Sequence, residues 1–419
     1  MQTLPAVYSL AFSLDGKRLA VGTHKKALLY DTSDWSLIEA ITQVKGSVRA
    51  LTFHPDGKRL AIGSGITGAS GNLLMCDPAD LSHTANYGAA NDTIESIAFS
   101  KDGASMLTAS FDSKARFYPN TYYRYGDQKL EEHNGRVTSV AFSSKPNYIF
   151  VTGAMDKMVK VWDMKTEKVV VNFDQATAGI TGLGFLANGD QIVGSSLDGN
   201  LYWWAVNYNA KKKVYRGYPF RTIKAHEGGV TAFGASANLQ RIVTGGPDHL
   251  VRVWKMDDGG LVRDFKEPKA PVYCTALSPD GKIAAAAGRE GVVWVWDVEA
   301  NKILTTITPG QARSADGAAP SIGSRHAADG ASALKPVNTT TGPPTSNANV
   351  RMPNAKSMKS NADQIPPVDE DVALPLPLGL QFPFQRGRYG CSPLSPAIWV
   401  ETSDRITSPK TSVSKTQRK

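Results

Sequence analysis

The chain has 419 residues, 41% of them apolar, and 47 Lys/Arg against 38 Asp/Glu give a formal charge of +9. That surplus is divided along the chain, with 13 basic and 8 acidic residues in 309–419, and no aromatic-and-basic RNA-binding motif accompanies it, so nucleic acid is not an expected partner. Cys76, Cys274 and Cys391 lie far apart without metal-ligand spacing, and no stretch approaches the roughly 20 apolar residues of a membrane span, which sets aside a disulfide scaffold, a zinc site and a membrane protein.

From Val7 onward one order of signals recurs, most legibly in Val137 to Phe173. There an apolar-alternating run (Val137-Thr-Ser-Val-Ala-Phe-Ser) leads into Val151-Thr-Gly-Ala, a turn at Asp156, Val159-Lys-Val-Trp162-Asp163 and a closing apolar run. The order restarts at Val7, Val48, Ile94, Val137, Ile180, Val230 and Val272, at intervals of 41, 46, 43, 43, 50 and 42 residues. A period of that size is the mark of a propeller or solenoid. Each unit holds four short runs separated by Asp, Gly, Pro or Asn, a strand-and-turn pattern. In the first, second and seventh units, Asp15-Gly16, Asp56-Gly57 and Asp280-Gly281 mark the turn between the first two strands.

These units resemble WD repeats, from about residue 5 to residue 308. The resemblance implies an all-β fold: one seven-bladed propeller of four-stranded blades over residues 1–308, followed by a disordered Pro/Ser/Thr/Asn-rich tail over 309–419, which holds 14 of the 24 prolines. It also implies a structural tetrad of His, Thr, Asp and Trp. The fourth unit supplies His133, Thr152, Asp156 and Trp162, and the sixth His226, Thr244, Asp248 and Trp254. The third keeps Thr108 and Asp112 but places Tyr118 at the Trp position, the fifth keeps Asp198 and Trp204, and the seventh keeps Trp296. The first two have Tyr30 and Cys76 there, so blades four to six should be the most rigid. A His, a hydroxyl and an Asp invite a catalytic reading. Their recurrence at fold positions favours a structural one, with no catalytic, cofactor-binding or metal-binding residues and no cofactor expected.

Two insertions interrupt the period. Gly65 to Gly71 lacks the Lys-Ser/Thr and following helix of a phosphate loop and is expected to be a long turn. Lys211-Lys212-Lys213, flanked by Tyr208, Tyr215, Tyr218 and Phe220, is expected to lengthen the fourth strand of blade five; contact with an acidic surface is the alternative. Six residues precede Val7, too few for a latching strand. The outer strand of blade seven should therefore be Lys302 to Thr308, with the ring closed by packing of blades one and seven; the short start also fits the remnant of a longer one. In the tail, Asp369 to Phe384 could fold on a partner, Ser392, Ser395 and Ser408 precede proline, and Lys410 to Lys419 is basic.

The start lacks the basic and apolar regions of a signal peptide, so a cytoplasmic protein is expected, with nucleus, cytoskeleton or cilium as alternatives. Binding other proteins is the family's usual activity. The expected partner face comprises the side chains that open first strands or flank the turn Asp: Tyr8, Arg49, Glu95, Phe111, Arg136, Met155, Leu197, Tyr273 and Arg289. Three readings compete: a general scaffold, a microtubule- or cilium-associated protein, and a substrate receptor of a cullin-type ubiquitin ligase. The second rests on Ile223 to Val230 with Thr244 to Gly246, which resemble one blade of the echinoderm microtubule-associated protein-like family, and points to tubulin. The third rests on Val161-Trp162-Asp163-Met-Lys165, similar to an adaptor-docking box, and points to a ligase adaptor.

Overall fold

A computed structural model describes residues 4–309, apart from 43, 80, 82–84, 120, 122–127, 146–148 and 239. The tail features expected beyond residue 309 lie outside the described residues.

Valine, isoleucine, threonine and tryptophan alternate with small or polar residues through each unit, which suits a pleated surface buried on both sides. In the fourth unit the strands are Val137–Phe142, Ile149–Ala154, Val159–Asp163 and Lys168–Phe173, antiparallel and in sequence order. All seven sheets among the described residues share that order and have four strands each. The first strand of every blade is innermost, so the seven first strands line a central channel.

Alternation decides which neighbour each side chain meets. In the fourth unit Phe150 and Trp162 point towards blade three and join its Phe117 and Leu107. Ile149, Val151 and Val161, one residue out of phase, point towards blade five and join Tyr202 and Trp204. The rings of Phe117, Phe150 and Trp162 stack at centroid separations of 5.7 and 5.9 Å, adding about 0.5–1.5 kcal/mol per pair to the area they bury. Every interface between blades has one such apolar cluster.

The cluster that closes the ring joins Val7, Leu10 and Val21 of blade one to Ala285, Val293 and Val295 of blade seven. Blade seven takes its outer strand from Lys302–Ile307, and the first strand of blade one pairs only within its own sheet. Closure of the described ring is by packing of blades one and seven.

The two insertions behave differently from plain loops. Gly65 to Gly71 is not a long turn: it extends the hairpin, with Gly65 opposite Gly71 and Ile66 opposite Ser70, leaving a tight turn around Gly68. Gly68 takes a φ of 77°, which a residue with a Cβ adopts only at a cost. Its N–H donates to Asp92 Oδ1 at 2.8 Å, so the turn is fastened to the connection that follows. In blade five the third and fourth strands lengthen to Asn200–Asn209 and Val214–Lys224, and Lys211 to Lys213 form the tip of this hairpin.

Candidate functional site

The tetrads are closed internal networks. In blade four, Trp162 Nε1–H donates to Thr152 Oγ1 at 2.9 Å. The threonine O–H is thereby left for His133 Nε2, 2.7 Å away. That fixes the other imidazole nitrogen as the donor to Asp156 Oδ2 at 2.8 Å. Blade six repeats the set at 2.9, 2.8 and 2.9 Å with Trp254, Thr244, His226 and Asp248. Burial would raise both carboxyls, but imidazole and backbone N–H donors outweigh it and hold Asp156 and Asp248 below the usual range. Burial, against the pull of Asp248, keeps His226 below its ordinary value and hence neutral at pH 7. Thr152 and Thr244 are fully buried and already donate inward, so neither hydroxyl meets a cleft in which it could act as a nucleophile.

Blades three, five and seven, which lack the His, anchor the turn acid from a slot the sequence reading missed, four residues further on, the slot from which Arg252 also reaches Asp248 in blade six. In blade three, Arg116 forms a two-pronged ion pair with Asp112, the side chains only 3% and 5% exposed. In blade five the Tyr202 hydroxyl donates to Asp198 at 2.8 Å and Trp204 Nε1–H to Gln175 at 2.8 Å. In blade seven Trp294 donates to Glu290 at 2.5 Å. The signal was a donor four residues after each turn acid, masked because its chemical type changes from blade to blade.

The residue that follows the Val or Ile at which each unit restarts faces the channel. Four blades in succession (seven, one, two, three) place Tyr273, Tyr8, Arg49 and Glu95 there; blades four, five and six place Thr138, Thr181 and Thr231. The threonines are spoken for: Thr181 and Thr231 donate to the backbone carbonyls of Val230 and Val272 in the next blade at 2.8 and 2.6 Å, and Thr138 reaches Ile180 O in the same way. The large residues turn instead to one another. Tyr8 and Tyr273 stack with centroids 6.3 Å apart, and the Arg49 guanidinium lies 5.1 Å from the Tyr8 ring and 5.9 Å from the Phe111 ring. Arg136 covers Phe111 at 4.7 Å.

Together with Met155 and Leu197, this array rims a cavity of about 520 Å³, which shares Glu95, Thr138, Thr181, Phe233 and Thr275 with a second of about 530 Å³ further along the axis. Seven of the nine expected face residues line the first cavity: Tyr8, Arg49, Glu95, Phe111, Met155, Leu197 and Tyr273. Arg136 stands on its rim through Phe111. Arg289 does not line it and stays exposed on the turn of blade seven. Glu95 sits 3.3 Å from Arg49, and burial, only partly offset by that guanidinium, pushes its carboxyl up to about 7. Among the described residues no group of three or more His, Cys, Asp or Glu could hold a metal ion, and no helix is long and apolar enough to cross a membrane.

The repeat model described as WD domain, G-beta repeat matches residues 82–118, 127–163, 217–255 and 259–297. The chain is a WD-repeat β-propeller. Each match runs from the outer strand of one blade into the third strand of the next, so the sequence repeat is offset from the structural blade by one strand. Relatives of this WD-repeat protein include protein tipD of Dictyostelium discoideum, 26% identical over 52% of the chain and 35% of tipD. The human serine-threonine kinase receptor-associated protein is 22% identical over 50% of the chain and 56% of its own length. Transcription initiation factor TFIID subunit 5 of Caenorhabditis elegans is 26% identical over 41% and 25%. The chain thus spans between a quarter and just over half of these relatives' lengths. WD-repeat propellers generally serve as protein-interaction scaffolds. The blade-six likeness to the echinoderm microtubule-associated protein-like family gains no support from these matches.

Proposed function

We propose that this propeller is a non-catalytic scaffold that binds other proteins across the channel mouth, centred on Tyr273, Tyr8, Arg49 and Phe111, in the cytoplasm. The carrying observation is the continuous tyrosine–arginine–phenylalanine array on one side of the ring. Tyrosine and arginine dominate interface hot spots because they offer large, stiff contact area with polar tips. Membership in a family of interaction scaffolds supports the same reading, as does the structural commitment of both His–Thr–Asp sets.

The test is affinity capture from lysate with the full chain and with a Tyr8→Ala, Phe111→Ala, Tyr273→Ala triple variant. A partner set retained by the wild type and lost by the variant, with both proteins melting alike, is the expected result. Partners that ignore the three substitutions would remove the mouth as the binding face. Tubulin among the mouth-dependent partners would select the microtubule-associated subtype, and a cullin adaptor the ligase-receptor subtype. No structural observation favours either now. Asp163 of the adaptor-like box accepts from the N–H groups of Lys165 and Thr166 and from the Tyr215 hydroxyl, which commits it to the blade.

A further inference from the structure

The channel mouth exposes its cations and covers its carboxylates. Arg49 keeps 32% of its side-chain surface, whereas Glu95 beside it keeps 14%. The turn acids of the next two blades are more enclosed still: Asp112 is 5% exposed and engaged by Arg116, and Asp156 is 11% exposed and engaged by His133. Arg136 is exposed and makes no ion pair among the described residues. Its guanidinium and that of Arg49 lie 4.7 and 5.9 Å from the same Phe111 ring. One aromatic side chain therefore fixes two planar donor forks near each other. Glu95 is the only described acceptor for Arg49, through a 3.4 Å hydrogen bond, long for a charge-assisted contact. A cation arriving here would meet two arginines, while Glu95 Oε1 is sealed from solvent. An anion would meet N–H donors whose geometry is already set, which lowers the ordering cost of binding.

We propose that Arg49 and Arg136, braced by Phe111, recognise an anionic group, a carboxylate or a phosphate, on an extended segment of a partner protein. A neighbouring apolar side chain of that segment rests on Met155 and Leu197, which are 37% and 38% exposed across the cavity. This rests on the mouth being the partner face and adds the chemistry it reads.

The test is fluorescence anisotropy with the full chain and three labelled peptides: alternating Glu and Leu, the same peptide with phosphoserine for Glu, and the same with Lys for Glu. The proteins are the wild type, Arg49→Gln, Arg136→Gln and Phe111→Ala, each matched by thermal melting. At least one anionic peptide should bind about tenfold or more tightly than the Lys peptide, each arginine substitution should weaken it about tenfold, and added salt should weaken it further. Whether the Glu or the phosphoserine peptide binds better identifies the source of the anion. If no anionic peptide binds, if the Lys peptide binds as well, or if both arginine variants bind like wild type, the anionic reading is overturned. When binding is still lost in Phe111→Ala, the mouth survives as the partner face; when that variant also binds normally, both readings fall.

Discussion

In blades four to six the channel-facing position at the start of each unit is threonine, and every hydroxyl is tied to the backbone of the following blade. In blades seven, one, two and three the same position carries Tyr273, Tyr8, Arg49 and Glu95, which interact with one another over open space. Both complete tetrads belong to the first arc. The difference teaches that a repeated backbone frees its equivalent positions to be spent unequally, with polar groups satisfied internally on one side and left available on the other.

The comparison breaks most severely at Arg116. Arg116→Leu strands the buried Asp112 carboxylate and should cost about 3–5 kcal/mol, read as a fall in denaturant midpoint. A loss below about 1 kcal/mol would mean that water reaches the pair. Glu95 gives the next effect. Its folded pKa is raised, so the folded state holds the proton more tightly than the unfolded chain, and stability should decline as pH rises from about 4.5 to about 7. Between pH 5 and 8 the wild type should lose about 2–3 kcal/mol more than Glu95→Gln. Parallel pH profiles would show that Arg49 neutralises the carboxylate fully.

A matched pair sharpens the contrast between arcs. Thr152→Val removes the acceptor of Trp162 and the donor to His133, at about 1–3 kcal/mol. Thr108→Val, at the equivalent position of blade three, should be near neutral, because Thr108 Oγ1 is buried without a hydrogen bond. Equal losses in chemical denaturation would refute the division. The smallest effect is expected at Thr231→Val, about 0.5–1.5 kcal/mol for one stitch between blades six and seven. Its signature is faster local hydrogen exchange in the first strand of blade seven.

Much of this was legible before any coordinates. The seven restarts gave the blade count because each unit must bury both of its faces against neighbours, and the Thr, Asp and Trp of blades four and six stood at matching steps along their strands. Seven of the nine positions expected to open a strand or flank a turn line the cavity at the channel mouth. Arg289 lies outside it, exposed on the turn of blade seven. The anchors Arg116, Tyr202 and Trp294 stayed hidden, since a guanidinium, a phenol and an indole share donor capacity and little else. The Gly65 to Gly71 hairpin was misread because glycine signals a turn equally well when it merely lets two backbones approach.

Every blade here is one uninterrupted stretch of chain, blade seven included, because its outer strand is Lys302–Ile307 and not a segment borrowed from the start. A blade is therefore a cassette with its seams in the connections between sheets. Cutting the gene at one such seam and joining the ends of residues 4–309 elsewhere would yield a circular permutant with all seven sheets whole. Duplication or loss of a single blade by recombination would likewise leave its neighbours' hydrogen-bond ladders intact and change only the size of the hole they enclose.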